Sequence, residues 1–518
     1  MVRDVKGKAI GNLKQDDFQL LDNGKPQVIS KFSVERADEK PPAPHEELGS
    51  AEETSKPSSV EPVIPNRYIA YLFDDIHVQT SDLAQARNAA ARQIQSLQPT
   101  DRAAIYTTSG QTRLDFTDDR AALIATMDRI IPRSLSNTGL NPCPNISYYM
   151  ADQIVNRNDP QALQVATKDA IDCGAVVVAP GAPPSSASAR VEAFARRELE
   201  TGDQEIKISL AALQDVVRRI AAMPGQRVII LVSPGFMNIN ALPTQSEIAD
   251  RALHSGVVIN SLDPQGLYTN MPDASQQRSP SPAIAAPMLQ YGITEQQANR
   301  DVLADLADAT GGFFFHNNND LNEGFRRLAG PPEFSYLLGF SPQNLKTDGK
   351  YHKLKVVLKP PAEGTIQARK GYYAPNATVD ASEQAREAIQ DAVFSQDEVS
   401  EIPVQLHTQF FKPDEDDAKL SVLVHMDVRR FHFRKADARN NDDVTVVSAL
   451  FDQNGNFISG VQKVLQMHLK DETLESKLNS GVTLKSSFDV KPGRYIVRLV
   501  VRDADGQLAA QSSAVEIP

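Results

Sequence analysis

Residues 67–75 read Arg67-Tyr68-Ile69-Ala70-Tyr71-Leu72-Phe73-Asp74-Asp75. An unbroken apolar run closes on two aspartates. A strand with one wet face would alternate apolar and polar residues, so a run without alternation predicts a strand covered on both faces. In residues 81–97, Leu83, Ala86, Ala90, Ile94 and Leu97 recur at spacings of three and four. That spacing predicts a helix with one buried face. The alternation continues. Strand-like runs fall at Tyr68–Phe73, Ala103–Thr107, Val228–Val232, Val257–Leu262 and Gly312–Phe315. Helical runs fall at 81–97, 119–131, 187–222, 244–255 and 299–309. Short buried strands alternating with amphipathic helices predict an α/β doubly wound domain with a mostly parallel sheet, here over residues 67–330. Ligands of such folds bind outside the carboxyl ends of the strands, where Asp74 and Asp75 would lie.

Two stretches interrupt this pattern and read as long loops at the rim of the sheet: the Pro-rich residues 132–186, and residues 264–297, rich in Pro, Ser and Gln. Cys143 and Cys173 are the only cysteines, and both lie in the first stretch. A disulfide between them would close a loop of about 30 residues and contribute ~3 kcal/mol. The alternative is two separate buried thiols.

The flanks have a different character. Residues 1–36 carry short strands and the turn Asp22-Asn23-Gly24-Lys25, where Asn-Gly suits positive φ. Residues 37–66 are acidic and rich in Pro and Ser, the composition of a flexible linker. After residue 330 the chain reads as all-β. Residues 334–375 are expected to complete a small split β module with 1–36, into which the α/β domain is inserted. A helical connector over 376–398 leads to residues 399–518, where some seven alternating strands predict an immunoglobulin-like sandwich.

The chain of 518 residues has 54 basic and 66 acidic side chains, a net charge of −12. Nucleic-acid binding calls for clustered Lys and Arg, so no nucleic-acid partner is expected. No apolar run is long enough to span a bilayer. Met1-Val2-Arg3-Asp4 leads straight into strand-like sequence, so no secretory leader is read and an upstream start is expected. The chain contains no nucleophile-elbow, phosphate-loop, dinucleotide or zinc-protease motif. The nine histidines are scattered, none at ligand spacing with another. In His316-Asn317-Asn318-Asn319-Asp320, the most polar cluster, Asp320 reads as the cap of a following helix.

Arg67–Asp75 resembles the first strand of von Willebrand factor type A domains, an apolar run ending in an acidic residue. Gln226-Arg227-Val228-Ile229-Ile230-Leu231-Val232-Ser233 resembles that family's central strand. Gly11–Phe18, Thr310–Asn317 and Ser335–Phe340 are similar to segments of the von Willebrand-related proteins of acidobacteria. The resemblance covers roughly residues 1–375. It implies adhesion or protein–protein recognition, with a divalent cation, Mg²⁺ or Ca²⁺, at the carboxyl edge of the sheet. The family's cation is held by D-x-S-x-S, a Thr on a later loop, and an Asp after the central strand, oxygen donors that suit a hard ion.

This chain departs from that motif. Counted from Asp74, the serine positions hold Ile76 and Val78; counted from Asp75, they hold His77 and Gln79. Ser233 stands where the distal Asp is expected, and Thr138 is the candidate for the later threonine. The candidate ligand-binding residues are therefore Asp74, Asp75, His77, Thr138 and Ser233, with Asp74 and Asp75 as the metal candidates. The competing role for either aspartate is to cap a helix or hold its own loop. His77 beside Asp75 would favour a softer metal than Mg²⁺. The expected function is non-catalytic: a protein-binding, adhesion or scaffold protein with a degenerate metal site. One alternative is a metal-dependent hydrolase around Asp74, Asp75 and His77. The other is a structural subunit of a surface assembly. Immunoglobulin-like modules and a disulfide suit a secreted, periplasmic or cell-surface setting.

Overall fold

The structure, a computed structural model, describes residues 1–4, 8–36, 64–134, 143–178, 184–239, 242–267, 281–330, 334–342, 351–368, 371–373, 381–395, 398–436 and 439–518. Its centre is a six-stranded sheet in the order Phe314–Phe315, Val257–Leu262, Gln226–Val232, Arg67–Phe73, Asp101–Thr107, Arg113–Thr117. The first five strands are parallel, and Arg113–Thr117 runs antiparallel at the edge. The chain winds one way from Arg67–Phe73 through Asp101–Thr107, then returns to the other side with Gln226–Val232. The switch point therefore lies between Arg67–Phe73 and Gln226–Val232, immediately before Asp74 and Ser233.

Every residue of Arg67–Phe73 is buried. Successive side chains point to opposite faces of the sheet. Tyr68, Ala70 and Leu72 pack with Leu213, Val217 and Ile220 of the long helix Pro184–Ala221. Ile69, Tyr71 and Phe73 pack with Leu83, Ala90 and Ile94 of helix Thr80–Gln95 and with Phe325 of helix Leu321–Ala329. Helices on both faces are what removed the polar alternation from the sequence. The expected strand Gly312–Phe315 shortens to Phe314–Phe315. Gly312 approaches the neighbouring strand so closely that a Cβ would lie 1.9 Å from the Ile259 carbonyl oxygen.

Among the described residues, both expected loops contain helices, while 135–142, 179–183 and 268–280 lie outside the described residues. Residues 132–186 contain helices Tyr148–Val155 and Pro160–Asp172 and the first residues of Pro184–Ala221. Pro160 stands at the first helical position, where its missing N–H costs nothing, with Asp159 capping in front of it. A proline at such a position reads as a breaker in sequence. Met150, Ala151, Ile154, Ala162, Val165 and Ala166 bury against Val191 and Ala195 in a separate small core. Cys143 and Cys173 are disulfide-bonded across a sequence separation of 30, closing the two-helix hairpin rather than an irregular loop. In the second stretch the helix expected at 299–309 already begins at Pro282 and runs to Thr310.

Residues 1–36 and 334–373 share sheets. Phe18–Asp22 pairs with Tyr351–Leu358, Ile29–Arg36 with Phe334–Phe340, and Val2–Arg3 with Thr365–Ile366. Most of the expected linker, residues 37–63, lies outside the described residues. Helix Ala381–Phe394 precedes the C-terminal sandwich. There a three-stranded sheet (Val404–Phe411, Ala418–Met426, Val482–Val490) packs on a larger antiparallel sheet centred on Arg439–Asp452 and Gly493–Arg502. A helix at Asp471–Ser480, which the strand pattern did not predict, interrupts the strand succession. Its acidic first turn and Lys477 in the last turn complement the helix dipole.

The amino edge of the parallel sheet rests on the C-terminal part. Arg102 donates to the Gln453 carbonyl at 3.0 Å and Arg227 to the Phe394 carbonyl at 2.5 Å. The carboxyl edge is left on the opposite side.

At the amino edge, Arg67 Nε and Nη2 donate to the two Asp101 oxygens at 2.9 and 2.6 Å, a buried bidentate pair between facing strand positions. Removing one partner strands a buried charge. Arg67→Met is expected to lower stability in urea unfolding by about 3–5 kcal/mol. Cys143→Ser with Cys173→Ser is expected to cost about 3 kcal/mol in the loop-entropy picture, read as a lower melting temperature that reducing agent reproduces in the wild type.

Candidate functional site

Asp74 and Asp75 follow the central strand and are 0% and 1% exposed. Their backbone belongs to the sheet's carboxyl edge. Asp74 N donates to the Val232 carbonyl at 2.9 Å, and the Asp75 carbonyl accepts from Arg133 N at 2.6 Å. Two such carboxylates would be costly without donors, and donors converge on them. Asp74 Oδ1 accepts from Ile76 N at 3.3 Å, His77 N at 3.2 Å and Thr108 Oγ1 at 3.0 Å. Its Oδ2 accepts from Ser233 Oγ at 2.6 Å. His77 Nδ1 lies 3.0 and 2.9 Å from the two oxygens. Asp75 Oδ1 accepts from Thr108 Oγ1 at 3.0 Å and Ser109 N at 2.9 Å, and its Oδ2 from Ser109 Oγ at 2.6 Å.

The structure thus brings Asp74, Asp75, His77 and Ser233 together. Thr138 lies outside the described residues. Thr108 and Ser109 are the hydroxyl donors that sequence reading missed, although both stand at the end of a predicted strand, where the fold rule places ligands. Neither aspartate caps the next helix: its N-cap is Gln79, without a side-chain bond. Asp320 does cap its helix, accepting from Glu323 N at 3.1 Å.

Ser233 begins the turn Ser233-Pro234-Gly235. Gly235 N donates to Ser233 Oγ at 2.9 Å, which turns the hydroxyl toward Asp74. Gly235 has φ +89°, and a Cβ there would meet the Asn299 carbonyl oxygen at 2.1 Å. Helix Pro282–Thr310 can therefore press directly on the turn.

Burial opposes the charge on Asp74, but the His77 charge and the bonds from His77 and Ser233 outweigh it and hold the carboxyl below its ordinary value. Burial also opposes charge on His77. Asp74 first, then Glu205 and Asp75, outweigh it and raise the imidazole. His77 stacks on Phe236 with ring centroids 5.5 Å apart. The result is a buried ion pair beside a hydroxyl network. An imidazole N–H covers both Asp74 oxygens where a cation would need lone pairs. Among the described residues, no three His, Cys, Asp or Glu side chains converge as a metal site would require. The donor set at Asp74 and Asp75 does not fit a bound cation, and no chemistry is routed through one.

Asp263, after strand Val257–Leu262, is a further buried acid at this edge that the sequence did not single out. Its Oδ1 accepts from Gln265 N at 3.0 Å, and Arg300 Nε lies 3.5 Å from its Oδ2. Burial pushes its carboxyl up to about 6, against the pull of Gln265 and Arg300.

Beside this network opens a cleft of about 790 Å³ between the sheet edge and the helical insertion. His77 and Phe236 line it from the sheet side, and Tyr148, Phe194, Arg197 and Glu205 from the insertion. Glu205 is 4% exposed and accepts from Ser134 Oγ at 3.2 Å. The lining mixes aromatic faces with charges of both signs.

No protein-family model matches the chain, and no curated protein matches it. Among solved structures, similarity is local. A glycosyl hydrolase family 2 member from Bacteroides cellulosilyticus aligns at 10% identity and a TM-score of 0.18, covering 23% of this chain and 15% of that one. A putative β-galactosidase from Bacteroides fragilis aligns at 16% identity and a TM-score of 0.16, covering 22% and 16%. A β-glucuronidase from Bacteroides uniformis aligns at 15% identity and a TM-score of 0.15, covering 22% and 13%. The chain therefore spans under a fifth of these proteins' lengths, and at such scores they carry no inference about function. The class defined by the fold is a doubly wound α/β domain joined to antiparallel β modules. Among the described residues no helix is long and apolar enough to cross a membrane.

The ion pair sets a pH window. Asp74, lowered in the fold, contributes stability above its unfolded value of about 4, and this is lost as pH falls through its folded value. His77, raised in the fold, contributes fully below its unfolded value of about 6.5, and this is lost as pH rises through its folded value. The protection factors of amides 74–78, measured relative to the intrinsic base-catalysed exchange rate, are expected to be highest between those limits and to fall on either side. His77→Phe, which keeps an aromatic ring against Phe236, should abolish the alkaline fall.

Proposed function

We propose that this chain is a non-catalytic binding protein that receives a protein ligand in the cleft at the carboxyl edge of its von Willebrand A-like domain. The observation that carries the reading is the commitment of Asp74 and Asp75. Every oxygen of the two carboxylates already accepts a hydrogen bond from the protein itself. They brace the cleft floor and are not free to take a proton or hold a metal-activated water, which argues against the hydrolase alternative. The strand order, with its switch point at Asp74 and Ser233, supports the von Willebrand A-like assignment. Recognition falls to the walls, where aromatic faces and an arginine stand beside buried acids, a composition common in interface centres. The β modules hold the amino edge and leave the cleft to face a partner. The Cys143–Cys173 bond suits work outside the cytoplasm, as a secreted, periplasmic or cell-surface protein.

The test uses the full chain as bait against secreted and envelope fractions of its source. Phe194→Ala with Arg197→Glu changes two wall residues and leaves the Asp74 network intact. The captured partner is expected to bind this variant at least about 30-fold more weakly, the effect of losing one interface hot spot. Equal affinity of wild type and variant for every captured protein would overturn the cleft as the binding surface. Chelator-sensitive turnover in a chromogenic ester and phosphate screen would overturn the non-catalytic reading.

A further inference from the structure

Where the amino edge of the parallel sheet meets the C-terminal sandwich lies a second cavity, of about 250 Å³. Three arginines line it from three different elements. Arg102 belongs to strand Asp101–Thr107, Arg120 opens helix Arg120–Met127, and Arg494 lies in strand Gly493–Arg502 of the sandwich. Arg102 is 3% exposed. Its Nη1 donates to the carbonyls of Pro99 and Asp101 at 2.9 and 3.0 Å, and its Nη2 to the Gln453 carbonyl at 3.0 Å. Its Nε is buried without a hydrogen-bond partner. Native proteins seldom leave such a donor unmatched, and the chain supplies no acceptor for it.

The acidic groups of the wall are largely spent. Both Asp101 oxygens accept from the Arg67 guanidinium, and Oδ2 accepts from Gln98 N as well. Asp118 Oδ2 lies 3.3 Å from Arg102 Nη2, and its side chain is half exposed. Donors are in excess. Arg494 Nε donates to Glu516 at 3.1 Å, and among the described residues its two Nη groups have no protein partner. Arg120 Nη1 and Nη2 donate to the carbonyls of Gln95 and Leu97 at 2.8 and 2.5 Å, and each keeps a second N–H.

A cavity walled by arginines with donors to spare selects an anion. Its volume lies below the roughly 300–1,000 Å³ of sites for drug-sized ligands, so the anion is small. A planar carboxylate offers its lone pairs in one plane. A phosphate offers oxygens in every direction, which suits arginines that arrive from three elements.

We propose that this cavity binds a small tetrahedral oxyanion of the phosphate class, free or as the phosphoryl group of a small ester, on Arg102, Arg120 and Arg494. The bound anion would tie the α/β domain to the sandwich, because its arginines come from both. The site lies at the opposite edge of the sheet from the cleft and is independent of the reading of it.

The test is titration of the full chain with sodium phosphate, glycerol 3-phosphate and sodium acetate, by calorimetry and thermal melting, at an ionic strength held constant with NaCl. Expected is one saturable phosphate site with Kd below about 1 mM and a melting temperature several degrees higher at saturation. Acetate should bind at least about tenfold more weakly. Competition by glycerol 3-phosphate would mark an ester as the source, and binding of phosphate alone the free ion. Arg120→Gln and Arg494→Gln, at exposed side chains, should each weaken phosphate at least about tenfold, the effect of one charge-assisted bond. Arg113→Gln, exposed and outside the cavity, should leave the affinity unchanged. If one of the two cavity variants does not fold, the other carries the comparison. No saturable heat and no shift at about 10 mM phosphate, tenfold above that limit, would overturn the proposal. So would equal binding of acetate, or phosphate binding that survives unweakened in the folded arginine variants.

Discussion

The carboxyl edge of the α/β domain depends on one buried anion. Asp74 accepts from Thr108 of the next strand's loop, from Ser233 after the central return strand, and from His77 in its own loop. Three segments distant in sequence are tied to one side chain. Burying a carboxylate is unfavourable, so each of these donors is held in place by what the others would lose without it. His77 supplies the countercharge. An imidazole from the same loop stands against the carboxylate, which makes the edge a brace.

The brace explains why the cleft forms beside Asp74 and not on it. Ser233 is oriented by Gly235, and Gly235 lets helix Pro282–Thr310 approach until only a residue without a Cβ fits. His77 stacks on Phe236, the next residue along. The helical insertion, closed by its disulfide, forms the facing wall. At the opposite edge, Arg67–Asp101 and Arg102 fix the sheet internally and against the C-terminal part. One end of the sheet is thus anchored, and the other opens on the cleft.

Much of this was legible in the residues. The apolar run Tyr68–Phe73 and the stripe Leu83, Ala86, Ala90, Ile94 state burial directly, because each position's polarity reports its own surroundings. The strand pattern of the C-terminal sandwich was legible for the same reason. The helices Tyr148–Val155 and Pro160–Asp172 were not. A proline at a helix start looks like a break, and Ala151, Ala162 and Ala166 dilute the short apolar stripes set by Met150, Ile154 and Val165. The helix at Asp471–Ser480 was missed because its apolar spacing is a single pair, Leu474 and Leu478, too short to mark a stripe.

The sequence by itself determined which segments are strands of a two-sided sheet, where that sheet's carboxyl edge falls, and that two adjacent aspartates stand there. Only the tertiary structure decided what meets them. Thr108 and Ser109 reach Asp74 and Asp75 from a neighbouring strand, and Ser233 reaches Asp74 across 159 residues of chain. Such pairings depend on strand register and on which loop ends beside which. The physical reason is that burial is written locally, residue by residue, whereas the compensation of a buried charge is a property of whatever the fold brings next to it.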